Sequence, residues 1–412
     1  MGFLLIGQYM LPRLLAAALL TVALPAVHAA TACGDKCIGF IEQAHAHEVK
    51  GEYEQALDAF EAAHKAAPTA SQPLAFMAAM LQRVSKLAPS PDPGNSRGRA
   101  NAAARQALQR DPEDPIALEA LRLLDDDGPS PLREPNPAAA RVLHEAERLF
   151  AERSLPAALK KYQEAMLLDS GASYAWLGAG DCHYLQGEWA EAAALFRRAA
   201  EIEPRNAQAW RYLSDALLAQ GKANAAEDAI IAAIAADPGQ RTSWAKLALM
   251  RRGAGIPLRP LRLQRAVKVT LGADGKTQAA VDEKLLARDA GGDFGFLLML
   301  GLAEIEAGKR TGADRAPPFE QALGAWETAI RVFDESGAAA ARPQANSAGD
   351  SADISLRDPA LRQIQAMARD GQLKPAILIL MFRQSYRPAL EEWIAANPGG
   401  VRAFIDRYGV QP

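Results

Sequence analysis

The sequence has only three cysteines and six histidines in 412 residues, and that scarcity removes most of the chemistry a chain of this length can carry. It contains no zinc-type C-x-x-C pair and no haem-attaching C-x-x-C-H. His45 and His47 stand two apart, so a helix points them in different directions and they cannot share a metal. The H-E-x-x-H, G-x-S-x-G, phosphate-loop and dinucleotide fingerprints are missing, and Asp125–Asp127 lacks the spaced ligands of a calcium loop. An excess of one charge is missing too. The 46 Lys and Arg against 49 Asp and Glu give a formal net charge of −3, without the basic surplus that nucleic-acid binding calls for. Aromatics are 6% of the chain, with little Phe or Ile for an all-β fold. These absences argue against an enzyme and predict no bound cofactor, metal or nucleic acid.

Long apolar runs are also lacking. Leu14–Leu24 spans eleven residues, well short of the roughly 20 that a membrane-crossing helix needs. It follows Arg13 and precedes Pro25 and small residues, which is the layout of a secretory signal peptide over residues 1–29. Met10 is a candidate true start, and cleavage after Ala29 or Ala32 fits equally; an uncleaved anchor is the alternative. The expected location is therefore periplasmic or secreted, in a cell of bacterial type. Export to an oxidising compartment would let Cys33 and Cys37 pair. Ala30-Thr31-Ala32-Cys33 loosely resembles a bacterial lipobox, although Ala30 is smaller than that motif prefers. A lipid anchor on Cys33, with outer-membrane association, is thus the competing reading. Cys182 has no mate and is expected to be a buried, inert thiol.

What the chain does have is a period. Trp176, Trp210 and Trp244 are 34 residues apart, and Gly187, Ala192, Ala199 and Pro204 recur as Gly221, Ala226, Ala233 and Pro238. A repeat of this length builds a solenoid of helix pairs, because no unit buries its apolar face without a neighbour. The unit Trp176, Ala179-Gly180, His183, Gly187, Trp189, Ala192, Phe196, Ala199, Pro204 resembles the tetratricopeptide repeat. So do its successor and, upstream, Gly51, Tyr53, Ala56, Phe60, Ala63 and Pro68. The resemblance implies an all-α helical-hairpin solenoid that presents a concave surface to a peptide or protein partner.

Laid out in register, the expected organisation is as follows. N-terminal repeats run over 37–127 with a Pro/Ser/Gly loop insertion at 88–98, a linker over 128–137, and the regular array over 138–252. Residues 253–292 break the period. Arg251, Arg252, Arg259, Arg262, Arg265 and Lys268 gather six cations there, either a patch for an acidic partner or a solvated loop edge. Val267–Leu271 and the residues after Asp274-Gly275 alternate as a short β-hairpin would, one that could cap the solenoid. A degenerate helix pair around Trp326 follows over 293–335, then a flexible linker over 336–353 and a helical C-terminal module over 354–412.

The resemblance also assigns a face. The first-helix positions that line the groove in this family fall on Leu143, Glu147 and Phe150, then Tyr174, Leu177, Asp181 and Tyr184, then Gln208, Arg211, Asp215 and Leu218. Leu177 and Asp181 stand where the chaperone-binding members carry a carboxylate-gripping Lys and Asn, so that role is not implied. An aromatic, acidic and Arg surface suits an extended segment with apolar and basic side chains. The expectation is an exported scaffold or adaptor. The alternatives are a structural envelope protein whose groove is occupied by its own chain, or an enzyme with its site in the C-terminal region.

Overall fold

The computed structural model describes residues 33–85, 93–112, 114–125, 133–263, 265–272, 276–282, 292–309, 316–340 and 355–412. The leader, its cleavage sites and the Asp274-Gly275 turn lie outside them. The chain divides at Pro257 into two compact units.

The first unit is entirely helical among its described residues. Its N-terminal block comprises α1 (Asp35–Lys50), α2 (Tyr53–Ala66), α3 (Gln72–Val84), α4 (Pro93–Arg110) and α5 (Pro115–Asp125). The regular array follows as α6 (Pro137–Ala151), α7 (Leu155–Leu168), α8 (Ser173–Leu185), α9 (Trp189–Ile202), α10 (Ala207–Ala219), α11 (Ala223–Ala236) and α12 (Arg241–Gly253). Each array helix packs on the helix before and after it, as a stack of pairs requires. The expected loop at 88–98 is shorter than the sequence suggested, because α4 is already helical from Pro93, a residue suited to a first helical turn.

Small residues set the packing distance. A Cβ on Gly178 would lie 2.1 Å from the Tyr162 ring, and one on Gly180 would lie 2.5 Å from Phe196. Both rings are fully buried, so α8 approaches α7 and α9 only because these positions lack side chains. The turn between paired helices is equally specific. Gly187, Gly221 and Gly255 recur at 34-residue spacing with φ of +80°, +73° and +79°, in the left-handed region that a Cβ resists. Arg153 occupies the same place one unit earlier, at φ +61°.

The tryptophan ladder has a hydrogen-bonding role. Nε1 of Trp176, Trp210 and Trp244 donates to the carbonyl six residues back, on Ser170, Pro204 and Pro238, at 3.2, 3.0 and 2.7 Å. Each indole thus ties a first helix to the end of the preceding unit. The three are not equally interior. Trp244 is buried, whereas Trp176 and Trp210 are half-buried.

A second device recurs at the helix turns. His47 Nδ1 meets Glu52 at 2.6 Å, and His183 Nδ1 meets Glu188 in the same way five residues on. In both units the Glu amide also donates to the His carbonyl, at 3.0 Å. Cys33 and Cys37 are joined by a disulfide across the start of α1, with Cα atoms 5.3 Å apart.

The second unit contains β1 (Arg259–Pro260), β2 (Val267–Leu271), β3 (Thr277–Val281), α13 (Asp293–Lys309) and α14 (Pro318–Ala340). After these come α15 (Pro359–Arg369), α16 (Leu373–Leu380), α17 (Arg387–Ala396), α18 (Gly400–Tyr408) and β4 (Val410–Gln411). β2 and β3 form the antiparallel hairpin, and β1 pairs in parallel with β4. The hairpin packs through β2 on α13, a helix of its own unit. A Cβ on Gly301 would meet Val269 at 2.4 Å, so that glycine permits the contact. Phe296, Trp326 and Phe333 form the core between α13 and α14. Buried Asp293 accepts from the amides of Arg357 and Asp358 at 2.8 and 2.9 Å, fixing the start of the C-terminal helices. The linker expected from residue 336 begins as helix, since α14 runs to Ala340.

The six cations of the irregular segment have separate fates. Arg251 is buried against Glu227 at 2.8 Å, Arg265 is bonded to Glu304 at 2.8 and 2.9 Å, and Arg259 donates to the Tyr408 carbonyl at 3.3 Å. Arg251, Arg259 and Arg265 are therefore each engaged inside their own unit.

Candidate functional site

The face lined by the first helices α6, α8, α10 and α12 is the place where a repeat array brings side chains from several units together. Its chemistry follows from the period, because one position per helix recurs along the stack. Leu143, Glu147, Phe150, Leu177, Asp181, Gln208 and Arg211 are all buried. Tyr174, Tyr184 and Asp215 are half-buried, and Leu218 is exposed at 37%. Seven of the eleven residues expected on an accessible groove are thus enclosed.

The enclosed residues are engaged with the array itself. Tyr162 donates to Glu147 Oε1 at 2.6 Å, and Gln208 Nε2 donates to the Tyr212 hydroxyl at 2.9 Å. Arg211 lies over the Tyr212 ring at 5.0 Å, and Lys246 on α12 grips Asp215. Tyr184 meets the edge of Trp189 at 4.8 Å. Leu143 and Phe150 belong to the same apolar cluster as Tyr162, and Leu177 joins the cluster of Phe196 and Tyr212. Burial, helped by Glu147, raises the Tyr162 hydroxyl well above the ordinary tyrosine range. Burial also pushes the Cys182 thiol up to about 12, with Asp181 and Glu147 adding to it, which leaves it unreactive.

Arg211 stands apart. It is 4% exposed, yet its Nε and Nη2 meet no acceptor among the described residues. A buried guanidinium normally has its donors satisfied, because leaving them bare costs on the order of 1–3 kcal/mol.

The N-terminal block reaches both ends of this face. α1 packs on α6, with Arg153 and Glu42 3.6 Å apart, and α5 packs on α12. Arg122 of α5 donates to Asp237 at 3.2 Å and to Glu119 at 2.8 Å. Gly239 allows the approach, for a Cβ there would lie 2.8 Å from the Arg122 guanidinium. Burial first, and the Asp237 carboxylate with it, raises the Glu119 carboxyl above its usual range against the pull of Arg122 and Arg241. The linker contributes as well: the Arg133 amide donates to Glu203 at 3.2 Å, and Asn136 caps α6 through Ala139 at 2.9 Å.

Sequence reasoning missed this closure. Its signal was faint: Glu119 and Arg122 are nearly the only charges on the otherwise apolar PIALEALRLLD helix. Among the described residues no group of three or more His, Cys, Asp or Glu side chains could hold a metal ion. No helix among them is long and apolar enough to cross a membrane.

Comparison with known proteins bears on the same region. No curated protein matches the chain. Among solved structures, MamA is 16% identical, with a TM-score of 0.22, covering 50% of this chain and 93% of its own. YrrB, a TPR protein with an unusual peptide-binding site, is 17% identical with a TM-score of 0.24, covering 51% and 91%. The TPR2AB domain of yeast Sti1, in its pHSP90 complex, is 17% identical with a TM-score of 0.28, covering 54% and 86%. Two family models, both described as tetratricopeptide repeat, match residues 143–204 and 184–250. The helix pairs from α6 to α12 are therefore tetratricopeptide repeats.

Proposed function

We propose that this protein is an exported scaffold of the bacterial cell envelope that binds an extended segment of a protein partner on the first-helix face of its array. The observation that carries the reading is Arg211, a buried cation on that face whose Nε and Nη2 meet no acceptor among the described residues. Those atoms are enclosed in the closed face, so a peptide carbonyl or carboxylate would supply the acceptor once the face opens, with Tyr174, Tyr184 and Leu218 offering partly open apolar surface beside it. Tetratricopeptide repeats generally serve protein–protein interaction, and the leader-like residues 1–29 and the Cys33–Cys37 disulfide suit an oxidising compartment outside the cytoplasm. In this reading the N-terminal block acts as a competitor for the face, since α1 and α5 hold its two ends.

Crosslinked capture from an envelope extract tests it. Arg211→Ala should abolish capture while circular dichroism stays unchanged, and Arg122→Glu, which releases α5 from Asp237, should increase it. Capture that ignores both substitutions in folded protein would overturn the assignment of the face. The structural reading, a groove permanently filled by its own chain, predicts that no partner is gained when Arg122 is changed.

A further inference from the structure

Among the described residues no strand pairs with the outer edge of the hairpin on α13, and that edge matches itself. In the β2–β3 ladder Val267 stands opposite Val281 and Leu271 opposite Thr277. The Asp282 amide donates to the Ala266 carbonyl at 2.8 Å, and the Gly272 amide donates to the Lys276 carbonyl at 2.8 Å. Antiparallel pairs alternate between bonded and non-bonded, so Gln278 and Ala280 are the β3 residues bonded to β2. Thr277, Ala279 and Val281 therefore aim their amides and carbonyls away from β2. All five residues of β3 are exposed. Protein edges are normally blunted by proline, a bulge or a charge within the strand. Thr-Gln-Ala-Ala-Val has none of these, with Lys276 just before it and Asp282 just after.

We infer that β3 is the twofold seam of a homodimer, in which two copies pair antiparallel about Ala279. In that register Thr277 bonds Val281 of the second copy, Ala279 bonds its own equivalent, and Val281 bonds Thr277, so every outward amide and carbonyl is used. Lys276 then faces Asp282 of the second copy at both ends, in non-bonded pairs where side chains approach most closely. A slip of two residues in either direction loses one bonded pair and the charge match. The product is a four-stranded antiparallel sheet ordered β2, β3, β3, β2. It places Leu271, Thr277, Val281 of the second copy and Val267 of the second copy in one row across a face. Val281, exposed at 42%, thereby gains Thr277 of the second copy as a cross-strand neighbour, and Leu271 stays one strand removed from the seam. This inference is independent of the partner proposed for the array.

Sedimentation equilibrium on the full chain, with charge and cysteine variants, tests it. The wild type should sediment as a dimer. Lys276→Glu and Asp282→Lys should each weaken self-association by about tenfold, because each sets like charges opposite one another twice. Mixed in equal amounts, the two should recover the dimer, since the heterodimer has opposite charges at both ends. Ala279→Cys should form a disulfide-linked dimer on mild oxidation, as bonded antiparallel pairs bring Cα atoms to about 5.5 Å, within disulfide reach; Gln278→Cys should not. A wild type that stays monomeric at every concentration overturns the seam. So does a dimer indifferent to the charge changes, or a Gln278→Cys protein that crosslinks as readily as Ala279→Cys.

Discussion

Arg122 on α5 donates to Asp237, the residue that ends α11, across 3.2 Å and 115 positions of sequence. Both side chains are largely buried, at 16% and 13% exposure, and the same guanidinium holds Glu119. It is the polar fastening between the N-terminal block and the end of the array. Arg122→Glu should cost on the order of 3 kcal/mol, because it buries a third carboxylate beside two others and leaves Arg241 as the cation beside Glu119. Hydrogen exchange should quicken in α5 and α12 and leave α7 to α9 unchanged. Uniform quickening across the array would show that the contact supports global folding instead of local closure.

Glu48 makes stability depend on acid. Burial alone would raise its carboxyl, but Arg83 and His45 outweigh that and hold it at about 2, against an ordinary 4.5. The unfolded chain therefore takes up a proton before the folded one does. The stabilisation from this group is complete above pH 4.5 and disappears as pH falls toward 2. Glu48→Gln leaves Arg83 buried without its counter-charge and should cost about 3–5 kcal/mol at neutral pH. Denaturant midpoints of the two proteins should converge as pH falls through this window; a gap of constant size would mean that another carboxylate controls the acid transition.

The array was legible in the sequence because its period is a packing requirement. Gly178 and Gly180 are small where rings from Tyr162 and Phe196 must fit, and Gly187 and Gly221 turn where a Cβ would strain. Burial along the first-helix face was not legible. Position in a repeat tells which way Asp181 or Arg211 points, but not how deeply its surroundings enclose it. The closure depends on a pair 115 residues apart, Arg122 with Asp237; the acid recurs in the period as Glu203 and Asp169, but its partner Arg122 lies outside the repeat pattern. The hairpin strands could be read from their alternation, yet their seat on α13 depends on Gly301, a glycine that looks like any other in a degenerate unit.

The three ladder tryptophans should respond unequally to removal. Trp244 is 2% exposed and bonded to Pro238, so Trp244→Ala should cost about 3–5 kcal/mol, the range of a large-to-small change in a core. Trp210 keeps the same hydrogen bond but is only half-buried, and Trp210→Ala should cost about 1–2 kcal/mol. Urea midpoints at equal m-value would measure the difference. Equal losses at the two sites would mean that the shared hydrogen bond, and not burial, sets the contribution.

Among the described residues, Arg153 is the one turn residue of the array that departs from glycine at a left-handed position. At φ +61° its Cβ crowds the backbone, a strain of roughly 1–2 kcal/mol that Gly187 and Gly221 escape in the following units. What the arginine offers in exchange is a contact with Glu42 at 3.6 Å between two well-exposed side chains, worth little in water. Arg153→Gly should therefore raise stability by about 1 kcal/mol, after the extra backbone freedom of glycine in the unfolded chain is subtracted. Arg153→Ala removes the ion pair but keeps the strain, so it should leave the melting temperature unchanged or slightly lower. Thermal melts of the three proteins separate the terms. If glycine and alanine behave alike, the turn carries no strain, and the Glu42 contact between α1 and the turn after α6 is the interaction that matters at this position.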